Sequence, residues 1–143
     1  MLDKAIAMRM RGPYQVQAAI AALHAKAAGA ADTDWRQIAA LYRALLELLP
    51  TPVVELNAAA ALAMAQGPGK GLAWIERIEA RGELADYHLL PAAKADLLRR
   101  SGRNAEAAVN YRRAIALVSN PAERAFLESR LRAMNVPPEY TAP

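Results

Sequence analysis

Gly102-Arg103-Asn104-Ala105-Glu106-Ala107-Ala108-Val109-Asn110-Tyr111-Arg112-Arg113-Ala114-Ile115-Ala116-Leu117 is the stretch on which the fold turns. Gly102 closes one segment. The next reads as a helix over Asn104 to Val118, in which small Ala107, aromatic Tyr111, small Ala114 and Leu117 follow in order. Small residues at such places let neighbouring helices approach closely. The rest of the chain has the same character. It is 55% hydrophobic, mostly Ala and Leu, with one Phe, two Trp and five Tyr in 143 residues. That balance favours packed helices over a sheet of β-branched and aromatic residues. An all-α domain large enough for its own core is expected.

Outward from this stretch, Gly and Pro cut the chain into helix-length segments joined by short turns, about seven in all. The first runs over about 14–28, entered through Gly12-Pro13 and closed by Gly29, with Val16, Ile20 and Leu23 as its apolar stripe. The second covers about 34–49, capped by Asp32, Thr33 or Asp34, with Trp35, Ile38, Leu41, Tyr42, Leu45 and Leu48 on one face. The third, about 52–66, is rich in Ala from Ala58 to Ala65 and is expected to be central. Gly67-Pro68-Gly69 reads as a turn into a fourth helix carrying Leu72, Ile75 and Ile78 and closed by Gly82. A fifth begins near Tyr87 to Leu90, with Pro91 in its first turn, and ends at Gly102. The seventh follows Asn120-Pro121 and continues through Phe126, Leu127 and Leu131 to about Met134. Residues 1–12 read as the tail of a preceding helix or a linker, with Leu2 to Met10 helical, and residues 135–143 as a proline-broken tail. The helical domain spans 13–134.

These helices follow a period of about 34 residues. The stretch from Gly102 to Leu117 resembles the second helix of a tetratricopeptide repeat. A degenerate copy runs from Tyr42 to Pro50, with Leu45 where Ala is usual. The resemblance implies a tetratricopeptide-like α-α superhelix of three hairpins, about 14–50, 52–82 and 86–118, with the seventh helix as cap. Ala59, Ala60, Ala107 and Ala114 are the expected tight contacts.

Chemistry-bearing patterns are sparse. The chain has no cysteine, so disulfides, thiolate metal sites and a cysteine nucleophile are excluded. His24 and His88 are far apart, with no ligand-spaced partner beside either. His24 reads as a packed or helix-boundary residue. His88 follows Tyr87 at a helix start, where both either pack or look into a groove. Gly67-Pro68-Gly69-Lys70-Gly71 lacks the spacing and preceding strand of a phosphate loop. Glu76 and Glu79 lie among Arg77 and Arg81 in the pattern of a solvated helix face. Trp35 and Trp74 fall on apolar stripes and read as core. Asn57, the only strongly polar residue between Leu56 and Met64, either caps a buried group or faces a groove. No catalytic residue, metal or cofactor is expected.

Charge is uneven. The formal net charge is +4, but Lys94 to Arg132 holds nine Lys or Arg against four carboxylates, while Asp32 to Glu55 is net acidic. The arginine-rich end reads as solvated helix faces, with an acidic partner or nucleic acid as the alternative. No apolar run approaches the roughly 18 residues that cross a bilayer. Lys4, Arg9 and Arg11 precede no separate apolar core of a signal peptide. A cytoplasmic protein is expected.

Particular strings carry a narrower resemblance. Gly12-Pro13-Tyr14-Gln15, Gln17-Ala18-Ala19-Ile20-Ala21-Ala22, Asp34-Trp35, Leu41-Tyr42, Pro52-Val53-Val54 with Leu56-Asn57, Gly67-Pro68 with Gly71-Leu72, Tyr87-His88-Leu89-Leu90-Pro91-Ala92 and Ala95-Asp96-Leu97-Leu98-Arg99-Arg100 occur in this order. They are followed by Glu123-Arg124 and by Phe126-Leu127 with Arg130-Leu131. From Gly12 to about Met134 the chain resembles the C-terminal tetratricopeptide-like extension of bacterial extracytoplasmic-function RNA polymerase sigma factors. That family commonly has Arg after the Leu-Asn pair, where this chain has Ala58, so any contact of that arginine is lost. The modules that melt the promoter and read its upstream element normally precede such an extension. An excised domain or a truncated product is therefore expected.

The resemblance implies a non-catalytic, regulatory protein-interaction domain. Its partner would be RNA polymerase, the sigma factor's own core domains or a regulator, with no sequence-specific DNA binding and a monomer or weak dimer as the state. A stand-alone peptide-binding scaffold and a small-molecule sensor are the alternatives. Asn57, Tyr87, His88 and Lys94, polar groups on the first helices of hairpins, are the groove candidates.

Overall fold

The computed structural model describes residues 12–26 and 33–134, which form seven α-helices and no strand. They are α1 (Pro13–Lys26), α2 (Trp35–Leu48), α3 (Pro52–Gln66), α4 (Pro68–Arg81), α5 (Leu89–Arg100), α6 (Asn104–Leu117) and α7 (Pro121–Ala133). The all-α class is as expected. The helix over Leu2 to Met10, the closing role of Gly29, Asp32 as a cap and the tail over 135–143 lie outside the described residues.

Local chemistry sets the helix ends. Asp34, of the three candidates, caps α2: its Oδ1 accepts from the Gln37 N–H at 3.1 Å. Thr51 caps α3 by accepting from Val54 N–H at 3.2 Å, and Asn120 caps α7 by accepting from Glu123 N–H at 3.0 Å. Each satisfies a donor that the first helical turn leaves without a partner. Gly102, at φ 79°, ends α5 in a left-handed cap. Its N–H donates to Arg99 O at 3.0 Å and the Arg103 N–H donates to Leu98 O at 2.9 Å. One boundary differs from the sequence reading. Only Gly67, at φ 109°, stays outside as the turn, while Pro68, Gly69, Lys70 and Gly71 open α4. Proline suits that place, because its φ is already helical and the missing N–H has no intrahelical acceptor there.

The chain divides into two compact units, residues 1–71 and 72–143, with the division inside α4. In the first unit α1 packs on α2 and α2 on α3. Its core joins Val16 and Ile20 of α1, Ile38, Leu41 and Leu45 of α2, and Val54 and Ala61 of α3. Trp35 is half-buried against this core, and its ring meets His24 edge-on at 5.4 Å. α2 lies between α1 and α3 in this unit, while α3 is the most buried of the three, its alanines closely packed. Val54, Leu56, Ala58, Ala59, Ala61, Leu62 and Ala63 are all buried, which leaves one open stripe through Val53, Asn57, Ala60 and Met64.

In the second unit α5 packs on α6 and α6 on α7. Leu90, Ala95, Leu97 and Leu98 are buried on α5, Ala107, Ala108, Tyr111 and Ala114 on α6, and Leu127 on α7. The expected tight contacts hold at Ala59, Ala107 and Ala114, each 0% exposed. Ala60 is half-buried, because its place on α3 turns toward the open stripe. The hairpins expected over 14–50 and 86–118 correspond to the packed pairs α1 with α2 and α5 with α6, and α7 lies on α6 as the cap would. The hairpin expected over 52–82 contains the division between the units, which falls inside α4.

Candidate functional site

The entry to α5 is built from tight turns. Gly82, at φ 76°, ends α4, and Leu84 folds in with 8% exposure. The Tyr87 N–H then donates to Leu84 O at 3.0 Å, and the Leu90 N–H to Tyr87 O at 3.1 Å. These turns bring Tyr87 and His88 side by side, with ring centroids 5.9 Å apart and planes tilted by 55°. His88 occupies the residue before α5 without capping it through its side chain. Its imidazole reaches α7 instead, where Nε2 lies 2.7 Å from Glu123 Oε2. The two atoms are close, though Nε2 makes no hydrogen bond there. Glu123 stands in the first turn of α7, where a carboxylate is favoured by the helix dipole.

Beside this pair, His88, Leu89, Ala92, Ala122, Glu123, Phe126 and Leu127 line a cleft of about 340 Å³, apolar over most of its wall. Phe126 is 58% exposed and Leu89 41% exposed. The Arg130 guanidinium stands 5.3 Å from the centre of the Phe126 ring, a cation–π contact. Phe126 and Leu127 are consecutive apolar residues of α7. Adjacent residues on a helix point about 100° apart, so one narrow packed face accepts only one of them. Leu127 takes it, at 5% exposure, and Phe126 is left in water.

Lys94 lies farther along α5 and does not join this cleft. Its Nζ donates to Glu79 Oε1 of α4 at 2.8 Å, with the side chains 15% and 33% exposed. Glu79 also lines a second cleft, of about 390 Å³, with Ala85, Leu90, Pro91, Arg113, Ala116 and Leu117. The first turn of α5 thus sends Leu89 and Ala92 to one cleft and Leu90 and Pro91 to the other. Asn57 belongs to the first unit, exposed in the open stripe of α3. Exposure alone accounts for a polar residue there. Ala58, where the resembled family commonly has arginine, is 1% exposed.

Glu123, Phe126 and Leu89 are the site residues that sequence reasoning missed. The signal for Glu123 was its place three residues after the Asn120 cap, which fixes it in the first turn. The chain's single Phe offered none, because its burial depends on which neighbour the helix packs against. Among the described residues, no group of three His, Asp or Glu side chains is placed to hold a metal ion. None of the described helices is long and apolar enough to cross a membrane.

No family model and no solved structure matches the chain. It is 43% identical over 142 residues to an uncharacterized protein of Rhizobium meliloti (strain 1021). That match takes in 99% of this chain and 33% of the relative, so the chain spans about a third of the length of the curated relative it matches.

Proposed function

We propose that the chain is a non-catalytic protein-docking module and that the cleft between α5 and α7 is its working face. The observation that carries this is the exposure of Phe126 at the rim of an apolar cleft. A large aromatic in that position gains from being covered, and aromatic anchors at clefts dominate binding energy at protein interfaces. Tyr87 adds area with few rotatable bonds, and the His88 and Glu123 pair supplies polar groups at the edge.

The context that fits best is the C-terminal extension of a bacterial extracytoplasmic-function sigma factor. The ordered strings from Gly12 to about Met134 support it. A module of this kind would act on transcription initiation through RNA polymerase, the sigma core domains or a separate regulator. The longer relative, of which 33% is matched, accords with a module joined to others.

The test is a transcription assay on a sigma factor that carries this domain. Tyr87→Ala combined with Phe126→Ala should change output from the target promoter, with helical content and melting of the 143-residue chain nearly unaltered. Unchanged output removes the cleft as the working face. Loss of folding assigns both residues to structure instead.

A further inference from the structure

We infer that the groove between α2 and α3 in the first unit binds an acidic peptide segment, with Arg36 and Arg43 each taking one carboxylate. The inference is independent of the α5–α7 cleft. Arg36, Ala39, Ala40 and Arg43 of α2 face Leu62, Ala65 and Gln66 of α3 across a cleft of about 340 Å³. Arg36 and Arg43 are seven residues apart, which puts them on nearly the same helix face with a rise of about 10.5 Å between them. Between them the wall is only two alanines, so the guanidiniums stand as posts on either side of a notch. Both arginines are exposed, and neither has an ion-pair partner among the described residues.

The far wall ends in a prepared polar group. The Lys70 ammonium donates to Gln66 Oε1 at 2.9 Å, which leaves the Gln66 NH2 as a donor and adds a positive charge beside the cleft. A guanidinium pairs with a carboxylate through two parallel N–H donors, so two arginines at fixed separation select two carboxylates at matching separation. In an extended polyproline II segment, residues three apart return to the same side after about 9.3 Å. An acidic residue at every third position of such a segment fits the notch, with a small apolar residue resting on Ala39 and Ala40.

Charge in the surroundings favours a short acidic peptide over nucleic acid. Asp32 to Glu55 holds Asp32, Asp34, Glu47 and Glu55 against only Arg36 and Arg43. A polyphosphate carries charges beyond the two arginines into this net-acidic stretch, whereas a segment with two carboxylates places both of them at the arginines.

The test uses fluorescein-labelled Pro-Glu-Pro-Pro-Glu-Pro and fluorescence polarisation with the full 143-residue chain at low salt. Saturable binding is expected. Arg36→Ala and Arg43→Ala should each weaken it about tenfold, the loss of one charge-assisted bidentate contact. Arg36→Lys with Arg43→Lys should fall between wild type and the double alanine variant, because charge is kept and the paired donors are lost. Pro-Glu-Glu-Pro-Pro-Pro, with the same charge at the wrong spacing, should bind more weakly than the probe, and Arg113→Ala should leave probe binding unchanged. Circular dichroism melts confirm that these exposed substitutions leave the fold intact. The inference is overturned by absence of saturable binding, by equal binding of the two peptides, or by an equal loss with Arg113→Ala. It is overturned too by an oligothymidylate that binds more tightly through the same two arginines.

Discussion

In the second unit, cations near helix junctions are answered at short range: Lys94 by Glu79 at 2.8 Å, Arg99 and Arg100 by Asp96 at 2.7 and 2.9 Å, and Arg103 by Glu106 at 2.6 Å. In the first unit, Arg36 and Arg43 stand in water on either side of a notch. The cores differ in one buried aromatic. The first joins branched aliphatic side chains and alanines of three helices. The second combines aliphatic side chains, among them Ile75, Ile78 and Leu98, with alanines at 0% exposure, and adds a buried aromatic, Tyr111, at 2%. A cation already paired with a neighbouring carboxylate gains little from an outside partner, while an unpaired guanidinium in water is free for one. The same logic separates Phe126 from Tyr111. One aromatic is consumed by the core and the other remains available.

Removing the buried aromatic should have the largest effect. Tyr111→Ala opens a cavity between α5 and α6 and is expected to cost about 3 to 5 kcal/mol. Amide hydrogen exchange should quicken first in α5, α6 and α7. An equal and simultaneous rise in α1 to α3 would show that the two cores unfold as one, and would break the comparison between them.

Overpacking comes next. Ala107→Leu, at a position with 0% exposure, should cost roughly 1 to 3 kcal/mol. Ala60→Leu, on the open stripe of α3, should move the urea midpoint far less. Similar shifts for the two would mean that the stripe is covered and that Asn57 beside it is not a surface residue.

Caps compare the units on equal terms. Asp34→Ala in the first and Asn120→Ala in the second each remove one side-chain acceptor from a helix start. Each should lower stability by about 1 kcal/mol in thermal unfolding. A much larger effect of Asn120→Ala would indicate that the cap also positions Glu123 against His88.

The smallest effect is in acid. Burial by itself raises the Asp96 pKa, but hydrogen bonds from Arg100 and Arg99 outweigh it and hold the carboxyl below its ordinary range. Arg99 is correspondingly raised, first by Asp96 and then by Tyr111. Because the folded pKa of Asp96 lies below the unfolded one, its contribution is present above about pH 4 and disappears as pH falls through the depressed value. The carboxylate is about a third exposed, so less than about 1 kcal/mol is expected. Urea midpoints of wild type and Asp96→Asn should differ at neutral pH and converge in strong acid. A constant gap would mean that the substitution acts through packing rather than charge.

Most of the fold was legible because its signals are local. Asn120-Pro121 marks a capped helix start in any context, Gly102 marks an end because a left-handed residue is needed there, and the alanines of α3 read as closely packed because small side chains permit close approach. The resemblance that depends on Gly102, Ala107, Tyr111 and Ala114 rests on one helix with one repeated geometry, and the structure buries three of those four residues. The candidate site was legible only in half. Tyr87 and His88 are neighbours in sequence and had to be near each other, but Lys94 is drawn to Glu79, 15 residues earlier in the chain, and Glu123 approaches His88 from another helix.

What the amino-acid sequence determined by itself was therefore the helical class, the helix ends and the small-residue contacts, since each follows from backbone chemistry within a few residues. What only the tertiary structure decided was the fate of the polar and aromatic side chains. Which of Phe126 and Leu127 is buried, whether Lys94 is free, and that Arg36 and Arg43 stand across a notch from Gln66 all depend on which helix face meets a neighbour. Periodicity marks that an apolar face exists. The angle at which it packs, and so which adjoining side chains are left in water, is settled by contacts between residues distant in the chain.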